Sequence, residues 1–349
     1  MKNFYSDLGK SAFWKSGLAD VSPLNVSDIY KKKWDIGENW QIGTAGSCFA
    51  QHIARHLTAN GYNVLDAEPA PSGLKSNEHQ SYGYSLYSGR YGNIYTTRQF
   101  RQLIEEVFSD EPESPIIWEK DGKFFDALRP NIEPNGFASQ VEVIEARAYH
   151  RERLRELFLE VDMFVFTLGL TEAWIHTDSG RVVPLAPGVV AGGEEAQDYS
   201  FINFSYADVV SDFRRAMTVL RENRNKQIRY LLTVSPVPLT ATASGNHVLT
   251  ASTYSKSVLR AAAGFLSERH GNIDYFPSYE IITNPAARST FFASNLRSVM
   301  NEGVEVVMKT FFAAHPPKVT TAKANPVVEG ASSDEDVQCD EEMLEAFGK

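Results

Sequence analysis

The chain of 349 residues is poor in cysteine, holding only Cys48 and Cys339. Two cysteines do not make a disulfide framework. No apolar run approaches the roughly 18 residues that span a bilayer, and the opening MKNFYSDLGKSAFWKSG lacks the apolar stretch of a secretory signal. Basic residues are in deficit, 34 Lys and Arg against 44 Asp and Glu, for a net charge of -10. Phosphate backbones need a basic face, so nucleic acid is excluded as the expected partner. Histidine is sparse as well. His52 and His56 have the i, i+4 spacing of a metal pair, but HIARH lacks the glutamate of a zinc protease motif and no third ligand stands out. No metal site, no membrane span and a cytoplasmic location are the expectations.

What is present is a core-forming sequence, 43% hydrophobic, ample for a globular fold. Apolar periodicity alternates between strand and helix. WQIGTAG, MFVFTLGL, IRYLLTVSPV and IDYFPSYEII read as strands. FAQHIARHLTANG, TTRQFRQLIEEVF, YHRERLRELFLEVD, residues 206–222, a segment starting near Thr253 and NEGVEVVMKTFFAAH read as helices. Strands separated by helices predict right-handed βαβ units, and hence an α/β fold: a flavodoxin-like three-layer α/β/α sandwich with a mostly parallel sheet. Three parts are expected: residues 1–40 wrapping over the core, a domain at 41–315, and a flexible acidic tail at 316–349 rich in Pro, Ser and acid. Cys339 lies in that tail among acids that disfavour a thiolate.

Ligands of parallel sheets sit at the carboxyl ends of the strands, which selects four stretches, the segment after Phe276-Pro277 and three that carry candidate chemistry. In GTAGSCFAQHIARHL a strand gives way to a helix at Ser47-Cys48. Ser47 has the chemistry of a helix cap, and Cys48 falls in the first turn, where unpaired amides favour a thiolate and make it nucleophilic. In FTLGLTEAW, Gly169 permits close backbone approach, Thr171 offers a hydroxyl to a developing oxyanion, and Glu172 can orient a histidine or a sugar hydroxyl. In SPVPLTATASGNHVLTASTYSKS, a long loop carries His247 as a candidate base, and Tyr254 and Lys256 open the next helix. His176 is a fallback base.

GSCFAQHIA, YGNIYTTRQF, DALRP, FTLGLTEAW, TVSPVPLTAT, TYSKSVLR, DYFPSYEI and GVEVVM, in that order, resemble the GSCFA family, which is grouped with the SGNH, or GDSL-like, hydrolases. The resemblance runs from about Phe13 to Phe312. It implies ester chemistry on a carbohydrate such as a bacterial surface-polysaccharide precursor. The SGNH Gly-Asp-Ser block falls on Gly46-Ser47-Cys48, putting Cys48 at the nucleophile position with Ser47 as runner-up. The second-block glycine falls on Gly92, beside Asn93, and the oxyanion-hole asparagine of the third block on Thr171. The Asp-x-x-His block falls on Asn295 and Ser298, with Arg297 between them, so the usual carboxylate and base are replaced.

The expected function is therefore an SGNH-like acyl-ester hydrolase or O-acyltransferase. Cys48 attacks, His247 shuttles the proton, Glu172 orients it, and the other residues named bind the substrate. No cofactor is expected, although a transferase would need an activated donor such as acyl-CoA. The alternative is an inactive binding module for a glycan or a protein, with Tyr82, Tyr84, Tyr87, Tyr91 and Tyr95 as a stacking surface; an interaction role for the acidic tail is a third reading.

Overall fold

The computed structural model describes residues 3–26, 28–317 and 340–348. Five parallel strands form the central sheet: β1 (Gln41–Gly46), β2 (Asn63–Val64), β5 (Met163–Leu168), β9 (Arg229–Val234) and β10 (Ile273–Tyr275). Their spatial order is β10-β9-β5-β1-β2. The chain therefore winds outward from β1 to β2, returns to β5, and winds the other way. The reversal falls between β1 and β5, the place where a doubly wound sheet opens a crevice at its carboxyl edge.

The helices cover both faces, as the alternation in β5 requires. Phe164 and Phe166 point to α2 (Thr97–Phe108), α3 (Gln140–Glu160), α4 (Tyr206–Glu222) and α5 (Val248–Arg269), where Phe100 stacks on Phe166 at 4.6 Å between ring centroids. Met163 and Val165 point to the opposite face, against α1 (Phe49–Ala59), α6 (Ser278–Thr283) and α7 (Asn301–Ala314). The period-2 pattern of a strand thus divides one apolar run between two cores. Two antiparallel pieces flank this sandwich: a hairpin of β3 (Ile117–Lys120) with β4 (Lys123–Asp126), and a small sheet in which β6 (Glu172–His176) lies between β7 (Val182–Val183) and β8 (Tyr199–Asn203).

Several expectations need correction. IDYFPSYEII is not one strand: β10 ends at Tyr275 and α6 begins at Ser278. Proline at 277 cannot donate to a ladder, and Ser278 hydroxyl instead reaches back to the Val234 carbonyl at 3.1 Å. α5 starts at Val248, so Tyr254 and Lys256 lie inside it rather than opening it. Of the first forty residues, Tyr30, Trp34, Ile36 and Trp40 pack on the core, whereas Phe4, Tyr5, Phe13 and Trp14 are exposed. The tail was expected to be flexible, yet its described part, Asp340–Phe347, is a 3-10 helical run seated against the domain. Cys339 lies outside the described residues.

Candidate active site

The carboxyl ends of β1 and β5 meet around two glycines. Gly46 ends β1 at φ +138°, and a Cβ there would stand 2.4 Å from the Thr167 carbonyl oxygen. Only glycine lets β1 continue past β5 at this closeness. The Ser47 amide then donates to that same carbonyl at 3.1 Å, and the chain turns into α1. Gly169, at the end of β5, meets the turn from the other side: a Cβ on it would lie 3.0 Å from the Ser47 Cβ and 3.1 Å from the Tyr95 carbonyl.

The segment 92–95 crosses the ends of both strands. Ile94 donates to the Gly46 carbonyl at 2.9 Å, and the Tyr95 carbonyl accepts from Gly169 and Leu170 at 3.1 and 3.0 Å. The capping box of α2 holds this crossing, because the Gln99 side chain accepts from the amides of Tyr95 and Thr96 at 3.1 and 3.0 Å.

Cys48 occupies the N-cap position of α1 with helical backbone angles, and it is 4% exposed. Ser47 is not the cap its chemistry suggests. Its hydroxyl is buried and has no hydrogen-bond partner among the described residues. The Thr171 hydroxyl is likewise buried with no partner among the described residues, while its amide donates to the Ser255 hydroxyl at 3.0 Å.

Asn93 faces the crevice in a defined orientation. Gln51, on α1, donates from Nε2 to the Tyr87 hydroxyl at 3.2 Å, and that hydroxyl donates to Asn93 Oδ1. With its oxygen engaged, Asn93 presents its NH2 group outward, and this group donates to the Asp340 carboxylate. Asn131 Nδ2 donates to the same carboxylate at 2.7 Å. Gly92 stands beside Asn93 at φ +66°, with no heavy atom closer than the Arg129 Cβ at 4.0 Å to where its own Cβ would be.

Two buried cations complete the site. Lys256, projecting from α5, donates to the Gly169 carbonyl at 2.7 Å. Arg297 sits in the turn before α7, where Asn295 Oδ1 accepts from the amides of Arg297 and Ser298 at 3.0 and 2.9 Å. The Arg297 guanidinium meets Glu341 and Glu342, each at 3.4 Å. Burial pushes the Glu341 carboxyl up, against the pull of Arg297 and Lys256, and leaves it at about 7.

The structure brings together Ser47, Cys48, Gly92, Asn93, Gly169, Thr171 and Lys256 at the strand ends, and it joins Arg297 to them through Glu341, which feels both cations. It leaves others aside. His247 is exposed and caps α5, its Nδ1 accepting from the Leu249 amide at 3.2 Å. It lies nine residues before Lys256, about 13 Å along the helix axis. Glu172 accepts from the Thr242 hydroxyl at 2.7 Å, with His247 already turned to its own helix, so the expected orienting pair is not formed. Glu172 itself opens β6. Tyr254 is exposed on α5, and His176 Nδ1 is paired with the Ser179 hydroxyl at 2.9 Å. Asn295 shapes a turn. Tyr87, Tyr91 and Tyr95 are buried and Tyr84 lies under Arg90, so the tyrosines do not form an open stacking surface.

His52 and His56 gain no metal-binding neighbours: no group of three or more His, Cys, Asp or Glu side chains suited to a metal occurs among the described residues. No helix of the described residues is long and apolar enough to cross a membrane. Sequence reasoning missed Gln51, Asn131 and the acidic pair Asp340-Glu341, and gave Tyr87 a stacking role where it orients Asn93. Asn131 directly follows DALRP, a block whose signal was already visible but carried no role.

A family model described as the GSCFA family matches residues 41–311. No curated protein matches the chain.

Proposed function

The chain belongs to the GSCFA family, and from that premise we propose that it is an SGNH-like acyl-ester hydrolase or O-acyltransferase that acts on a carbohydrate through Cys48. The observation that carries the reading is the placement of Cys48 at the N-cap of α1, directly after Ser47, whose Cβ faces the Gly169 turn that the buried Lys256 holds. A serine alcohol needs a neighbouring base to become a nucleophile. A thiol needs only its anion stabilised, which a helix N-terminus and nearby cations do. With Asn295 and Ser298 at the positions of the usual acid-base pair, and with His247 and Glu172 apart, cysteine chemistry fits this site better than serine chemistry.

In this reading the Cys48 thiolate adds to the acyl carbon, and the carbonyl oxygen becomes an oxyanion facing the Thr171 hydroxyl, which is buried with no hydrogen-bond partner among the described residues. Collapse breaks the ester C–O bond, and the departing alkoxide takes a proton from water. Water, or a second sugar hydroxyl in a transfer, then adds to the thioester, gives up its proton and releases the thiolate.

The test is turnover of acetylated sugars by the wild-type chain, Cys48→Ala and Cys48→Ser, with mass spectrometry of trapped thioester. Loss of turnover by at least about 100-fold in Cys48→Ala, with an acyl adduct on the wild-type residue, is expected. Unchanged turnover in Cys48→Ala removes the thiol from the reaction. The replaced acid-base pair favours one second reading, a glycan-binding module without catalysis; sugar binding with no thioester and no turnover of any ester tested supports it instead.

A further inference from the structure

The C-terminal run has an inverted burial pattern. Its apolar Met343 and Phe347 are 39% and 67% exposed and Leu344 is only half-buried, while Asp340 and Glu341 are 4% and 7% exposed. A segment that docked by the hydrophobic effect would bury the methionine and phenylalanine and leave the acids in water. This one is held through its carboxylates. Asp340 takes amide donors from Asn93 and Asn131, Glu341 takes Arg297 at 3.4 Å within the field of Lys256, and Glu342 takes the other arm of Arg297 at 3.4 Å. The donors come from the 92–95 crossing, the segment after β4, α5 and the turn before α7. Four distant parts of the chain thus converge on two acidic side chains.

We infer that Asn93, Asn131, Lys256 and Arg297 form a carboxylate-binding subsite of the crevice, and that residues 340–341 are its resident occupant, competing with a ligand that carries carboxylate groups. The inference deepens the catalytic reading by naming the substrate class as acidic, such as a uronic-acid-containing sugar. The occupant is suited to displacement. Its burial raises the Glu341 carboxyl more than the two cations lower it, so docking carries a desolvation cost. Its apolar footholds are slight: Leu344 is half-buried, and Met343 lies at the edge of an open cavity shared with Phe125, Val189 and Val190.

The experiment uses the full chain. Asp340→Lys with Glu341→Lys replaces attraction by repulsion and frees the subsite. A fluorescently labelled peptide with the sequence of residues 340–348 should bind this variant and bind the wild-type chain at least about tenfold more weakly. Adding Arg297→Gln to the freed variant should cost at least about tenfold in peptide affinity. Hydrogen exchange on the unmodified chain is the second measurement, independent of whether the lysine variant folds. Glucuronate should accelerate exchange across 340–348, and glucose should not. A folded lysine variant that ignores the peptide, or wild-type exchange across 340–348 that glucuronate leaves unchanged, overturns the inference. Repeating the peptide titration with Cys48→Ala separates the two readings: binding retained there, with no ester turnover by the wild-type chain, leaves the subsite standing and removes the chemistry. Turnover through Cys48 without peptide binding does the reverse.

Discussion

Two clusters of buried opposite charges lie within this domain, and they behave differently. The first ties the hairpin, α2, α3 and the small sheet together. Arg147 donates to Glu106 at 2.7 Å and reaches Asp126 at 3.3 Å; Arg129 pairs with Asp126 at 2.8 Å; Arg181 closes on Glu106. Beside it, His150 and Glu68 are joined at 2.7 Å. Burial pushes the Asp126 carboxyl up, yet Arg147 and Arg129 overcome it and hold the group at about 2. Glu68, raised by burial but lowered by His150 and Arg129, also ends at about 2. The second cluster is Arg297, Lys256, Asp340 and Glu341, and there the balance tips the other way, with Glu341 at about 7. In the first cluster the cations outweigh burial; at the docked segment burial outweighs the cations.

The largest test of this contrast is to delete one cation from each cluster. Arg147→Met leaves two buried carboxylates without their shared partner and should cost about 3–5 kcal/mol of unfolding free energy. Arg297→Gln should cost no more than about 1 kcal/mol, because the docked segment can release its acids to water and leave none buried without a partner. Urea unfolding of the two variants measures both; equal losses erase the distinction.

Acid should then act on the two clusters with opposite sign. Groups whose folded pKa is depressed favour the fold above their unfolded values and lose that contribution as pH falls. His150 is lowered to about 4, by burial first and Arg129 second, so unfolding free energy should begin to fall below about pH 6.5. A further fall is expected between about pH 4 and 2, as Asp126 and Glu68 take protons. Glu341 faces Arg297 from the turn before α7, Lys256 from α5, and Asp340 and Glu342 from its own segment. Its folded pKa is raised, so docking is favoured below the unfolded carboxylate value and weakens as pH rises through about 7. Between pH 7 and 5 the core should therefore lose stability while hydrogen exchange across 340–348 slows. A segment that loosens with the core refutes the assignment.

The smallest expected effect comes from Tyr87→Phe. Losing its hydroxyl should cost about 1 kcal/mol of stability. It also frees the Asn93 side chain to rotate, so affinity for the 340–348 peptide in the freed chain should fall more than stability does. Affinity that is unchanged would mean that Asn93 is held by something other than Tyr87.

Much of the fold was legible in the sequence because alternating periods of 2 and 3.6 are local signals. α4 begins at Tyr206 and ends at Glu222, as its pattern dictates. The region from Phe276 to Ile282 was misread because a short apolar run has no period of its own. At the site, Gly46, Ser47, Cys48 and Gly169 could be placed by one rule about strand ends. His247 and Glu172 could not be separated from the site, since a rule that selects loops does not fix the side-chain direction within them. Asn131 and Asp340-Glu341 were invisible for another reason. Their contacts bridge as many as 247 positions, the separation of Asn93 and Asp340, and the composition of the tail reads as solvated chain until the cations that receive it are known.

Cys48 caps α1, and Gln51 lies three residues further on, just short of a full turn. Through Tyr87, Gln51 also aims the Asn93 side chain. The backbone of Asn93 is held separately, by the capping box of α2 and the bond from Ile94 to Gly46. A small tilt of α1 therefore turns the sulfur and loosens the Asn93 amide at once, while the crossing that carries Asn93 stays in place.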